Sequence, residues 1–247
     1  MFDARANGTD RVPVTVLFPA DDAGAPTGSR RPAVVFIQGG FVSTARYEWQ
    51  ALELARAGYV VALPENQLAL AFFSVDYGQV ARTLLVEPPE GSLLERLVDP
   101  TRIGVAGHSL GSVVSMKLAL EGGFAAVALE AGFPDGADDA KLPSLAIPSL
   151  SLAGRLDCQA KVEGVTDGWN KLPGPTALVV LEGVTHFQFT ADDAEDVRRK
   201  CPPEAALDDA HARIGQALRG FFDAALAGEG VGAAALATVP AASVEVR

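Results

Sequence analysis

Apolar residues recur along this chain in two different periods. Short, mostly apolar runs stand at Ala33 to Ile37 (A-V-V-F-I), Tyr59 to Leu63, Ile103 to Ala106, Phe124 to Leu129, Ser149 to Ala153 and Thr176 to Leu181. They have the length of strands and little polar face, as expected of parallel strands covered on both sides. Between them the spacing changes to three and four residues. From Tyr47 to Ala57 the apolar positions are Tyr47, Ala51, Leu52, Leu54 and Ala55, and Gly58 stands where a helix would end. Asp76 to Val86, Leu110 to Glu121 and Asp208 to Leu226 read as further helices, the last long and amphipathic. An imperfectly alternating run, V-P-V-T-V-L-F from Val12 to Phe18, predicts an early strand before a turn-rich connector. Strands alternating with helices predict an α/β fold, a mostly parallel central sheet flanked by helices. No repeat or linker divides residues 1–247, so one domain is expected, with the small apolar tail after Gly228 packed on it as an appendage.

Composition narrows the field of partners. With 247 residues, 49% of them apolar, the chain can bury a large core without metal or disulfide staples. Twenty basic against thirty-one acidic residues give a formal charge of −11, which repels phosphate backbones, so nucleic acid is not an expected partner. No run is long and apolar enough for a membrane span, and Met1 to Arg11 mixes both charges without a hydrophobic stretch, so neither a span nor a signal peptide is predicted. A leader already removed would leave the same pattern, which keeps secreted, periplasmic and cytoplasmic locations open. A monomer is the expected state. The three histidines and two cysteines show neither Cys-x-x-Cys nor His-x-x-x-His spacing, so no metal site is expected. Cys158 and Cys201 fit one disulfide or two thiols equally.

Residues 103 to 111 read I-G-V-A-G-H-S-L-G, which sets Gly107-His108-Ser109-Leu110-Gly111 between a predicted strand and a predicted helix. That is the setting of a nucleophile elbow. The turn is so tight that side chains two residues either side of Ser109 would clash, and its strain lifts the hydroxyl above the sheet. Twenty-five glycines make a chance G-x-S-x-G a real alternative, and the placement between strand and helix is what favours the functional reading. The helix beginning at Leu110 also aims its first N–H groups at a developing oxyanion.

A serine hydroxyl needs a base to take its proton. His108 is the elbow's own variable residue and is expected to face away from its neighbour's hydroxyl, while His211 lies inside the C-terminal helical pattern. His186 remains, in the loop E-G-V-T-H-F after a strand. In the chain order serine, acid, histidine, the acid falls among Asp135, Asp138, Asp139, Asp157, Glu163 and Asp167. Asp157 is favoured because its turn, G-R-L-D-C, directly follows the strand S-L-S-L-A at the carboxyl edge, where ligands gather in open α/β sheets. A solvated surface turn is the plain alternative. Two backbone donors are required for the oxyanion. Leu110 supplies one, and Q-G-G-F supplies the other through Gly40, with Phe41 as the neighbouring possibility and an ordinary glycine turn as the alternative.

These residues resemble the lidless α/β-hydrolases, a group that includes chlorophyllases, dienelactone-hydrolase-like esterases and bacterial cutinases or polyester hydrolases. The likeness spans most of the chain and rests on A-V-V-F-I-Q-G-G-F, A-R-A-G-Y-V-V-A-L-P, D-P-T-R-I-G-V-A-G-H-S-L-G, A-G-R-L-D and G-V-T-H-F. The elbow marks the superfamily, not a substrate. Gln38 stands where many relatives carry histidine, and E-A-G-F-P-D-G around Phe133 does not repeat the Trp-containing loop of polyester hydrolases. Ser109 excludes the cysteine nucleophile of dienelactone hydrolases proper.

The resemblance implies a serine carboxylic ester hydrolase that forms an acyl-enzyme on a small-molecule or polymeric ester and needs no cofactor. Acyl transfer to an alcohol, or perhydrolysis, would use the same residues, and a binding module that keeps the fold is the non-catalytic alternative. Some secreted cutinase-like enzymes pin this region with a disulfide, which here would join Cys158 to Cys201; buried free thiols remain the other reading. The stretch between Glu130 and Asp157 is too short for a cap domain. Ser109 is therefore expected in an open cleft, with Phe41, Phe133, Phe187 and Phe189 as candidate apolar walls.

Overall fold

Burial on both faces turns the apolar runs into the centre of a sheet. In the computed structural model, which describes residues 2–6, 10–22, 24–28, 30–66, 74–191 and 199–247, they become β3 (Arg31–Ile37), β4 (Val60–Pro64), β5 (Val98–His108), β6 (Ala126–Glu130), β7 (Ser149–Gly154) and β8 (Thr176–Leu181). These six run parallel. β1 (Phe2–Ala6) and β2 (Asp10–Leu17) add to one side and β9 (Ala242–Val246) to the other, all antiparallel to their neighbours. Among the described residues the order across the sheet is β1-β2-β4-β3-β5-β6-β7-β8-β9.

Side chains leave a strand alternately on its two faces. Along β3, Ala33, Val35 and Ile37 enter one core, and Val34 and Phe36 enter the other. The first core is roofed by α2 (Ser74–Val86), α4 (Leu110–Glu121) and α5 (Val162–Asn170), and the second by α1 (Glu48–Arg56) and α6 (Leu207–Ala225). Buried Ala210, Ile214, Ala217, Leu218, Phe221, Phe222 and Ala225 make the apolar stripe of α6. Helix α4 buries its small polar residues as well, Ser112 and Ser115 among them, because it is wedged between the sheet and α2.

The tail after Gly228 is more than an appendage: a short helix, Ala233–Leu236, leads into β9, which pairs with β8. A second short helix, α3 (Leu93–Leu97), precedes β5, which begins earlier than its apolar run suggests. Between β6 and β7 the chain makes only 3-10 turns at Gly136–Asp138 and Leu142–Ser144, with no cap domain. No helix among the described residues is long and apolar enough to cross a membrane. The parallel register sets Ile37 beside Gly107, His108 beside Glu130 and Gly154 beside Leu181. The segments that follow β3, β5, β7 and β8 therefore emerge along one carboxyl edge.

Candidate active site

β5 ends at His108 and α4 begins at Leu110, so Ser109 alone reverses the chain. It does so at φ 56° and ψ −119°, a conformation costly for a residue with a Cβ. Neighbouring bonds hold it there: its N–H donates to the Glu130 carbonyl at 2.7 Å, and its carbonyl accepts the Ser112 N–H at 2.9 Å. Space accounts for both elbow glycines. A Cβ on Gly107 would collide with the Gly111 carbonyl and Ser115 Oγ, and one on Gly111 with the carbonyls of Ile37 and Gln38. The Ser109 hydroxyl itself makes no hydrogen bond to a described residue.

Asp157 follows β7 in a turn that buries its side chain completely. Oδ1 accepts the N–H groups of Gln159 and Ala160, both at 2.7 Å, and Oδ2 lies 2.8 Å from Nδ1 of His186. His186 opens a 3-10 turn, His186–Phe189, after β8. Gln188 fixes that turn: its Oε1 accepts the Thr185 N–H at 3.0 Å and its Nε2 donates to the Ala205 carbonyl at 2.8 Å. A disulfide joins Cys158 to Cys201, with their Cα atoms 5.7 Å apart. The His186 ring stands 4.6 Å from the ring of His108, the residue before Ser109, which brings the His186 turn against the elbow.

The loop after β3 faces the same point. The Gly39 N–H donates to Tyr47 Oη at 2.9 Å and is thereby occupied. Among the described residues the N–H groups of Gly40 and Phe41 find no acceptor. Phe41 is held at φ 60°, a second strained residue opposite Ser109. Gly40 lies so close to α4 that a Cβ there would touch Leu110 Cδ2 at 3.0 Å.

Five large apolar side chains among the described residues are exposed, and three of them, Phe41 (82%), Leu110 (37%) and Phe133 (41%), belong to the segments around Ser109. Phe187 stands edge-on to His186 at 5.5 Å. Phe189 is not a cleft wall: it is fully buried and stacked on His108. His211 sits flat on Trp49 at 3.6 Å and donates from Nε2 to the Thr190 carbonyl at 3.1 Å. Asp135 and Asp138 pair with Lys117, and Asp139 with Lys171, while Glu163 and Asp167 lie on α5, so none of these joins His186. No cluster of three or more metal-binding side chains occurs among the described residues.

Two buried groups at the site had escaped sequence reasoning. Tyr47 reads as one more core position of a helix, and nothing local signals its link to His108. Glu130, which ends the run A-V-A-L-E, is fully buried, and burial pushes its carboxyl up to about 8, the Gln50 amide at 2.9 Å offsetting only part of that. A carboxylate closing an apolar strand was its one visible signal.

A parallel sheet that carries a strained serine between a strand and a helix, and a buried carboxylate-histidine pair on later strand ends, defines the α/β class of hydrolases. The sequence model of the alpha/beta hydrolase family matches residues 33–196. The chain belongs to this family, whose members are in general hydrolytic enzymes. No curated protein matches the chain significantly.

Proposed function

We propose that the chain is a serine carboxylic ester hydrolase, with Ser109 as nucleophile, His186 as general base and acid, and Asp157 as the carboxylate that orients the base. One observation carries this reading: the buried Asp157 and His186, 2.8 Å apart, are packed against the elbow that bears Ser109. With Nδ1 turned to Asp157, Nε2 is left for the serine, and the carboxylate stabilises the imidazolium formed in each proton transfer.

Ser109 Oγ attacks the ester carbon as its proton passes to Nε2. The carbonyl electron pair becomes an oxyanion, held by the N–H groups of Leu110 and Gly40, with Phe41 beside them. Collapse expels the alcohol, which takes the proton from His186, and water then releases the acid by the same steps. The Ser109 hydroxyl comes within hydrogen-bond reach of Nε2 only when substrate arrives. Phe41, Phe133 and Phe187 offer an apolar rim to the acyl group, and an uncapped cleft suits small and polymeric esters alike.

The test is a pair of measurements. A fluorophosphonate probe labels Ser109, located by peptide mass, and Ser109→Ala lowers turnover of p-nitrophenyl butyrate on the order of a millionfold. Equal turnover by the variant, or a label elsewhere, refutes the assignment.

A further inference from the structure

Tyr47 and His108 do no chemistry in that scheme, yet they stand between all of its parts. We propose that Tyr47, acting through His108, is a positioning residue that holds the oxyanion loop, the elbow and the His186 turn in a single arrangement. The proposal rests on the roles given above to Ser109, His186 and Gly40.

Tyr47 closes the 3-10 turn Thr44–Tyr47 ahead of α1 and is fully buried, its ring 5.2 Å from that of Phe36 on β3. Its Oη accepts the Gly39 N–H at 2.9 Å and lies 2.9 Å from His108 Nδ1. A phenol has one hydrogen to give. The Gly39 amide can only donate, so His108 Nδ1 is the partner open to that hydrogen; in this arrangement the ring's own hydrogen sits on Nε2, which has no hydrogen-bond partner among the described residues. The imidazole is packed between the rings of His186 at 4.6 Å and Phe189 at 5.5 Å.

Each end of this chain of bonds acts on the site. Turning the Gly39 N–H into the core leaves the next two amides, Gly40 and Phe41, as the unoccupied donors. A His108 ring pinned at Nδ1 and between two rings cannot rotate, which fixes the residue next to Ser109. Tyr47 also favours neutral His108, since a donated hydrogen bond at Nδ1 excludes a proton there. Burial acts in the same sense, pushing that ring well below its usual range. A charge so near His186 would oppose the imidazolium it must become.

Tyr47→Phe removes only the hydroxyl. With p-nitrophenyl butyrate, kcat should fall about 10- to 100-fold while KM stays within twofold, the pattern of a small misplacement away from the substrate contacts. His108→Leu should match it, and His108→Asn, which keeps an acceptor near the Nδ1 position, should recover most of the loss. The Tyr47→Phe/His108→Leu double variant should lose no more than either single one. A kcat for Tyr47→Phe within twofold of wild type, a loss confined to KM, or additive losses would each overturn the coupling. Imidazole 15N NMR gives a reading that needs no turnover and no variant: a wild-type His108 with its hydrogen on Nε2 supports the proposal, and one with it on Nδ1 defeats it. Failure of wild type to take the fluorophosphonate at Ser109 strikes the functional reading instead, which separates the two.

Discussion

Asp157 divides its carboxylate between the backbone and His186: Oδ1 is held by two backbone N–H groups at 2.7 Å, and Oδ2 faces His186 Nδ1 at 2.8 Å. An asparagine in its place can keep both backbone bonds through its carbonyl oxygen but must turn an NH2 group to His186. It then holds the imidazole in the wrong tautomer. Asp157→Asn should leave the melting temperature nearly unchanged and lower kcat on the order of 10⁴-fold, as the same exchange does in serine proteases. Steady-state hydrolysis of a nitrophenyl ester checks this, and a loss under tenfold would contradict the role given to Asp157.

Glu130 makes stability depend on pH. Burial pushes its folded carboxyl up to about 8 from the ordinary 4.5. Between those values the folded chain binds a proton that the unfolded chain has released, so stability falls as pH rises through the window. Glu130→Gln removes the titration while preserving shape. The variant should match wild type near pH 4, below the unfolded value, and exceed it by about 4 kcal/mol, or roughly 8–16 °C, near pH 8. Melting curves across that range decide the matter, and a pH-independent difference would count against a buried neutral carboxyl.

Gly111 lets α4 approach β3 closely enough that a methyl group has no room beside the carbonyls of Ile37 and Gln38. Gly111→Ala must push helix and strand apart, at a cost of about 1–3 kcal/mol. For a chain of this size the melting temperature should drop by roughly 3–10 °C. An unchanged midpoint would mean that the contact relaxes freely.

The disulfide closes a loop of sequence separation 43, for which chain entropy gives a stabilisation of about 4 kcal/mol. Urea unfolding of the Cys158→Ser/Cys201→Ser double variant should show a loss of that order. Turnover at 25 °C should change less than threefold, because Oδ1 of Asp157 is fixed within its own turn. A large loss of kcat with little loss of stability would reverse the assignment, making the bridge a brace for the acid.

The sheet from Ala33 to Leu181 was legible because burial on both faces leaves runs with almost no polar positions. The turns that carry Ser109, Asp157 and His186 could be located by their places relative to those runs. β9 was not, since A-S-V-E-V is an edge strand with one side in water and its partner lies far back in the sequence. Tyr47 escaped for a related reason: its ring obeys the helical period, while the partners of its hydroxyl are 8 and 61 residues away. Phe187 and Phe189 look alike in sequence, and only the direction of the 3-10 turn decides that one stands beside His186 at the surface and the other lies beneath His108.

β9 also guards the molecule against its own kind. The strand it covers, T-A-L-V-V-L, is fully buried and carries neither charge nor proline, the composition of segments that stack into fibrils. Bare, it would be a flat edge able to recruit the same strand of another copy. With β9 in place the outermost strand is instead one that exposes Ser243, Glu245 and Val246 in partly polar alternation. It leads into Arg247, which exchanges backbone hydrogen bonds with Thr176 and lies over the Trp169 ring. That composition disfavours self-recruitment at the side of the sheet that carries His186.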